Sequence, residues 1–204
     1  MCLLHTETLA LKEFGDSDPP PYVILSHTWG EEEISFFDMK DGGDVYGFLP
    51  KKGFTKIAKF CALAKKHGFT YGWVDTCCID KGSSAELSEA INSMYLYYYN
   101  AAECLVYLED VPGKNERGVA GVDQLDAIKS SRWFTRGWTL QELVASKTRY
   151  FFAGDWSPIE EFEDLAGFNS VVARVTGIDE QVLRYRNTLS TFPIAQRMCW
   201  ASRR

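Results

Sequence analysis

The sequence predicts an α/β protein built on a mostly parallel sheet flanked by helices. Three observations predict it. Short runs rich in β-branched and aromatic residues recur at "YVILS" (22–26), "YGWVD" (71–75), "ECLVYLED" (103–110) and "TRYFF" (148–152). Amphipathic stretches of helical period lie between them. Strands alternating with helices imply βαβ units, whose crossovers place helices over the sheet.

The elements follow in order. "MCLLHTETLALKEF" (1–14) alternates in short apolar steps and predicts a hairpin, with "GDSDPPP" (15–21) as a turn-rich linker. "YVILS" is a buried strand, and a polar, glycine-containing stretch runs on to about residue 53. "FTKIAKFCALAKKHG" (54–68) is an amphipathic helix, with Phe54, Ile57, Cys61 and Ala64 at helical spacing and Gly68 as its C-cap. "YGWVDTCCID" (71–80) is a strand and its C-terminal loop. Ser83 and Glu86 form an S-x-x-E capping box, opening a helix to about Asn100. Its stripe is Leu87, Ile91, Met94, Tyr95 and Tyr98. A strand (103–110), a loop and a short helix (122–130) come next. A helix over 137–146 and a strand (148–152) follow. "SPIEEFEDLAGF" and "STFPIAQRMCWASRR" read as helical. The last pattern ends without a cap, which predicts a domain taken from a longer protein.

Composition narrows the function classes. The chain has 204 residues, enough for one domain with a full core, and 46% are hydrophobic. Aromatics at 14% suit either a core of large side chains or a stacking site for planar ligands. A net charge of −6 argues against a nucleic-acid partner, which needs a basic footprint. The six cysteines show no C-x-x-C spacing and only three histidines accompany them, so no metal site is expected. No basic region followed by an apolar run opens the chain, and no uncharged stretch reaches membrane-spanning length. A reduced, cytoplasmic protein without a membrane span is the expectation.

Several chemistries fall away. No G-x-G-x-x-G follows a strand and no P-loop motif exists. Ser26, His27 and Asp75 could compose a triad, but neighbours on a strand end point to opposite faces, and no G-x-S-x-G elbow is present. Adjacent Cys77 and Cys78 end a strand and read as small core residues rather than a redox pair. Asp75, Asp80, Glu109 and Asp110 lie at or just beyond strand C-termini, the edge where ligands bind in open parallel sheets. Taken singly, each is accounted for more simply by turn and capping chemistry, which Asp favours for its own reasons.

The stretch "SSRWFTRGWTLQEL" (130–143) carries the sharpest candidate. On a helix, Leu140, Leu143 and Val144 cluster toward the sheet, while Trp138, Glu142 and Ala145 fall on the opposite, open face. An indole beside a carboxylate can stack a flat ring and bind ribose hydroxyls or a cationic sugar-like transition state. Arg136 can hold a phosphate with its planar fork. Spacing alone favours the plainer alternative, Trp138 packed under a loop and Glu142 in a surface ion pair.

Four segments resemble the successive signature blocks of the fungal heterokaryon-incompatibility (HET) domain. They are "YVILSHTWG" (22–30), "YGWVDTCCIDK" (71–81), "INSMYLYYYNAAECLVYLEDV" (91–111) and "SRWFTRGWTLQELVA" (131–145). The "RMCWASRR" end is similar to a late M-x-W-A-x-x-R element of that family. Lys81 departs from the pattern, in which Gln is commoner. The resemblance implies one HET domain over 1–204. A hairpin and linker (1–21) would precede a core (22–152) and a helical extension (153–204).

HET domains are similar in plan to Toll/interleukin-1-receptor (TIR) domains, which have a flavodoxin-like sheet. Many TIR domains hydrolyse NAD⁺ with a glutamate in a W-x-x-x-E-L context, and "GWTLQEL" has that spacing. The resemblance thus implies a cell-death effector of self/non-self recognition. Glu142 would be catalytic, and Trp138, Arg136, Ser26, His27, Trp29, Asp75 and Asp80 would form the substrate site. NAD⁺ would be a substrate, with no resident cofactor. Homo-oligomers on activation and an incompatibility partner protein are also implied. The alternative is a non-catalytic module that signals death through self-association or partners.

Overall fold

The computed structural model describes residues 1–15, 18–40, 51–113, 122–159 and 165–202. Strands β1 (Cys2–His5) and β2 (Leu11–Glu13) form the expected antiparallel hairpin, with Leu3 opposite Lys12. β3 (Tyr22–His27) is buried at every position. Helices α1 (Phe36–Met39) and α2 (Lys52–Lys66) follow, then β4 (Tyr71–Trp73), α3 (Ser84–Asn100) and β5 (Glu103–Tyr107). Helix α4 (Val122–Ser130) leads into a 3-10 turn (Arg132–Thr135), α5 (Thr139–Ala145) and β6 (Arg149–Phe152). The chain ends with α6 (Leu165–Thr176), α7 (Glu180–Arg184), a 3-10 segment (Arg186–Thr191) and α8 (Ile194–Ala201).

The strands form one sheet in the order β2-β1-β4-β3-β5-β6. The fold is thus α/β, with a mostly parallel sheet flanked by helices, as the sequence predicts. From β4 to β6 the order is the 2-1-3-4 pattern of flavodoxin-like sheets, whose ligand crevice lies beyond the C-termini of the first and third strands. Those strands here are β3 and β5. The hairpin joins the sheet through β1, antiparallel to β4.

Two compact units divide the chain. The first comprises Met1–Leu25 and Trp29–Leu105, and the second Ser26–Thr28 and Val106–Arg204. In the first, β3 and β4 run parallel with Val23 opposite Gly72. A side chain at Gly72 would begin only 2.6 Å from the ring of Phe60, so glycine lets α2 approach the strand. Ile57, Phe60, Cys61 and Ala64 bury the inner face of α2. The helix stops at His67 because Gly68 takes φ +88°.

On α3 the buried residues are Ala90 and Tyr98, while Ile91, expected on the stripe, is 44% exposed. The helix is rotated because Tyr98 donates its hydroxyl to the Leu25 carbonyl at 3.1 Å, and the Tyr97 carbonyl accepts from Tyr22 at 2.6 Å. Only half of the capping box forms. Ser83 accepts from the Glu86 N–H, but the Glu86 carboxylate turns to the N–H of Asp80.

In the second unit, the Leu108 N–H bonds to the Phe152 carbonyl. β5 ends at Tyr107, short of the expected residue 110, because Val111 turns back to bond Leu108. Trp156 stacks on Tyr107 with centroids 4.3 Å apart. Of the helix expected at 157–168, residues 157–159 instead turn back along β6, where Pro158 bridges Phe152 and the Ile159 N–H bonds to the Phe151 carbonyl; residues 160–164 lie outside the described residues, and 165–168 open α6. α8 begins only after Pro193, whose fixed φ suits a helix entry.

Candidate functional site

The last residues of β3 belong to the second unit, and they carry the centre of its polar core. Ser26 is fully buried, and its hydroxyl donates to Oε2 of Glu142 on α5. The same hydroxyl accepts the indole N–H of Trp133 at 2.8 Å. A relay thus runs from indole to hydroxyl to carboxylate. Each member satisfies a group that would be costly to bury alone.

Local sequence sets these positions. The Ser131 hydroxyl caps the 3-10 turn by accepting from Trp133, and it donates to Asp110 at 2.7 Å. Asp110 also accepts the Arg132 N–H, so this acid just beyond β5 serves the turn chemistry considered from sequence. Trp133 is fully buried, edge-on to Phe134 at 5.0 Å and to Phe151 at 6.1 Å. The Thr139 hydroxyl lies 2.8 Å from the Trp133 carbonyl and 2.6 Å from that of Arg136, tying the turn to the start of α5. At the other end, Arg149 donates to the carbonyls of Leu143, Ser146 and Leu183. A cation on those last carbonyls stabilises the helix end.

The structure corrects the expected open face. Glu142 is 8% exposed, whereas Trp138 is 44% exposed. The backbone places them one turn apart, since the Glu142 N–H bonds to the Trp138 carbonyl at 3.3 Å. Their side chains nevertheless diverge. Trp138 sits at the N-cap, and the seven-residue helix beyond it is buried at Thr139 and from Glu142 to Ala145. A helix this short and enclosed has no free face at Glu142. Leu140, expected in the core, is only half-buried.

Other expected site residues divide between the units. His27 is buried, with Nδ1 3.2 Å from the Thr28 carbonyl oxygen, and Ser26 turns to Glu142 rather than to His27. Arg136 ends the 3-10 turn, half-buried. In the first unit, the Trp29 indole N–H donates to Asp75 at 2.8 Å, and the Lys81 ammonium lies 3.8 Å from the ring centroid. Asp80 accepts the Gly82 N–H at 2.8 Å, an Asx-type turn. Trp133 is the functional candidate that sequence reasoning missed. Its signal was a second tryptophan five residues before Trp138, in a segment read only for Trp138 and Glu142.

Cys77 and Cys78 are buried free thiols; Cys78 accepts the Val74 N–H, and burial pushes its thiol pKa well above the ordinary value. Among the described residues no cluster of His, Cys, Asp and Glu could hold a metal ion, and no helix is long and apolar enough to cross a membrane.

A family model described as "Heterokaryon incompatibility protein (HET)" matches residues 22–126, covering the first three quoted blocks and stopping before the fourth. The vegetative incompatibility protein HET-E-1 of Podospora anserina is 44% identical over 196 residues, which is 95% of this chain and 14% of that protein. No solved structure matches, and the likeness to TIR domains rests on the W-x-x-x-E-L spacing alone. With the family's pattern spanning its core strands and helices, the chain belongs to the heterokaryon incompatibility protein (HET) family.

Proposed function

We propose that the chain is a cell-death effector domain of fungal self/non-self recognition that cleaves the nicotinamide–ribose bond of NAD⁺. The observation that carries this reading is the Glu142 carboxylate accepting an aliphatic O–H at the C-terminal end of the first core strand. Ser26 is a donor of the same kind as a ribose hydroxyl. A substrate hydroxyl in its place would set the ribose against Glu142.

The chemistry asks little more of the protein. Nicotinamide leaves as a neutral molecule, so no general acid is needed. The cation left at the ribose carbon is stabilised by a carboxylate held in a low-dielectric site. Water adds at that carbon, and its proton passes to the carboxylate and then to solvent. The products are ADP-ribose and nicotinamide. Ser26 and Trp133 act as positioning residues that fix the carboxylate.

The burial of Glu142 also favours a second reading, a non-catalytic module in which the relay only holds the fold. The exposed Trp138 would then anchor a partner or a second copy. HET-E-1 is named an incompatibility protein, and this chain spans 14% of its length, so assembly on activation, a partner protein and a cytoplasmic setting belong to the proposal.

One experiment separates the readings. The domain, fused to a chain that forces oligomers, is incubated with NAD⁺ and free nicotinamide is followed. Release that Glu142→Gln abolishes at an unchanged melting temperature supports the enzyme. NAD⁺ left intact by the folded oligomer sinks it and leaves the signalling module.

A further inference from the structure

Helix α3 turns one face to solvent, and most of that face lacks charge. Its exposed stripe runs through Ala85, Glu89, Asn92, Leu96 and Tyr99 at helical spacing. The outward face of a surface helix is ordinarily rich in charged residues. Here none occurs from Ala90 to Asn100. Leu96 is 54% exposed and Tyr99 36%, with Ile91 at the flank at 44%. Tyr95 stacks on Tyr99 with ring centroids 6.1 Å apart, which widens the apolar surface.

The same stripe runs into an acidic cavity. This half-open space of about 380 Å³ is lined by Glu13, Phe14, Trp73, Ala85, Glu86 and Glu89, among others. Ala85 and Glu89 belong both to the stripe and to the cavity wall, so the two form one surface within the first unit. Glu13 and Glu89 are exposed, and neither enters an ion pair among the described residues. Glu86 commits one carboxylate oxygen to the Asp80 N–H. The one cation among the described lining residues is the Met1 ammonium, which donates to the Phe14 carbonyl at 2.9 Å, and the three carboxylates outnumber it. Lys12, beside Glu13 on β2, holds its own ammonium over the rings of Phe14 and Tyr71.

We propose that this surface docks a basic amphipathic helix of a partner protein. An arginine or lysine of that helix reaches into the cavity against Glu13, Glu86 and Glu89. Its apolar side chains lie along Leu96 and the Tyr95–Tyr99 pair. The spacing fits, since Glu89 and Leu96 are two turns apart on α3, about 10 Å, and a cation and a leucine seven residues apart on the partner span the same distance. Charge complementarity selects this occupant. A second copy of the chain brings the same net charge of −6, and its α3 has no basic residue to answer Glu89. An acidic segment meets the same repulsion. Docking here does not depend on the chemistry proposed at Glu142.

The probe is a synthetic helical peptide as long as α3, with leucine on one face and arginine along its border. The unaltered chain is titrated into the fluorescently labelled peptide and anisotropy is followed. Parallel arms use the same pattern with glutamate for arginine, and the same composition in scrambled order. The patterned arginine peptide is expected to bind saturably and at least tenfold more tightly than either control. Leu96→Ser should weaken it about tenfold, and Glu13→Gln with Glu89→Gln should weaken it and reduce its salt dependence. Glu31→Gln with Glu32→Gln removes two exposed charges elsewhere and should leave binding unchanged. All these positions are exposed, so melting temperatures should stay within a degree or two of the unaltered chain, about the effect of ordinary surface changes. Absence of saturable binding overturns the proposal. So does binding that is indifferent to Leu96→Ser, or that falls equally in the Glu31 and Glu32 variant, which would reduce it to attraction by net charge. A dimer of the unaltered chain that Leu96→Ser dissolves, seen by sedimentation, also overturns it by assigning the face to a second copy.

Discussion

Ser26 and Glu142, 116 residues apart in sequence, meet in a buried hydroxyl–carboxylate hydrogen bond, and Trp133 donates to the same hydroxyl. Removing the hydroxyl strips a partner from a buried N–H and from a buried carboxylate oxygen. Ser26→Ala should therefore destabilise by about 1–3 kcal/mol, a fall of several degrees in melting temperature. Trp133→Phe loses the N–H and, at a fully buried position, leaves a cavity where the second ring lay, so it should cost at least as much as Ser26→Ala. A double variant costing the sum of the two single ones would show that the residues do not act as one network. Thermal melts of the four proteins decide this.

Much of the fold was legible in the sequence because apolar period and punctuation agreed. Gly68 ends α2 at a positive φ, Ser83 caps α3, and the alternation of strand and helix gave the sheet class. The antiparallel attachment of the hairpin to β4 was not legible, since a strand's pattern says which face is buried but not which edge it meets. At the candidate site, Glu142 and Ser26 were both singled out, yet their contact was invisible. Helical periodicity put Glu142 on an open face, and that inference fails for a seven-residue helix enclosed on most sides. The Ser26–Glu142 bond joins residues 116 apart in sequence, a long-range pairing that local period cannot reveal.

Lys56 and Glu33 form a buried ion pair at 2.5 Å, with side chains only 7% and 14% exposed. Glu33 Oε1 also accepts the Gly30 N–H at 2.6 Å. Breaking one half leaves a charge that water cannot reach. Lys56→Met should destabilise by about 3–5 kcal/mol, whereas Lys56→Met combined with Glu33→Gln should recover a large part of that loss. Urea unfolding provides the measurement. Equal midpoints for the single and double variants would mean that the lost cation, not the stranded carboxylate, sets the cost.

Glycine positions divide by their surroundings. Gly53 lies in the first turn of α2, where alanine would ordinarily gain about 1 kcal/mol. Here the added carbon would sit 2.3 Å from the Glu32 carbonyl oxygen and 2.8 Å from the Glu33 Cα, both backbone. Gly53→Ala should instead destabilise by about 1–3 kcal/mol. Gly137 meets nothing within 4 Å and has no positive φ, so Gly137→Ala should be neutral or stabilising by about 0.4–1 kcal/mol. Opposite signs in the two melts are expected, and a stabilised Gly53→Ala would contradict the close approach of α2 to residues 32–33.

The buried thiols make stability fall at alkaline pH. Burial raises the Cys61 pKa to about 12, from an ordinary 9.0, and raises Cys78 well above that value. A thiol whose folded pKa is raised stays protonated in the folded chain while the unfolded chain ionises. The stability it contributes is thus complete below pH 9 and is lost as pH climbs toward 12. Each such thiol should lower stability by about 1.4 kcal/mol per pH unit in that window. Cys61→Ala should flatten the slope between pH 9 and 10.5 by one thiol's share, while lowering stability at pH 7 through the small cavity. Alkylation of the native chain at pH 8 gives a second readout. The exposed Cys199 should react first, and the buried Cys61, Cys77, Cys78 and Cys104 only on unfolding. Rapid native labelling of Cys61 on α2 or of Cys78 beyond β4 would show that the packing there opens to solvent and that these thiols are not inert core residues.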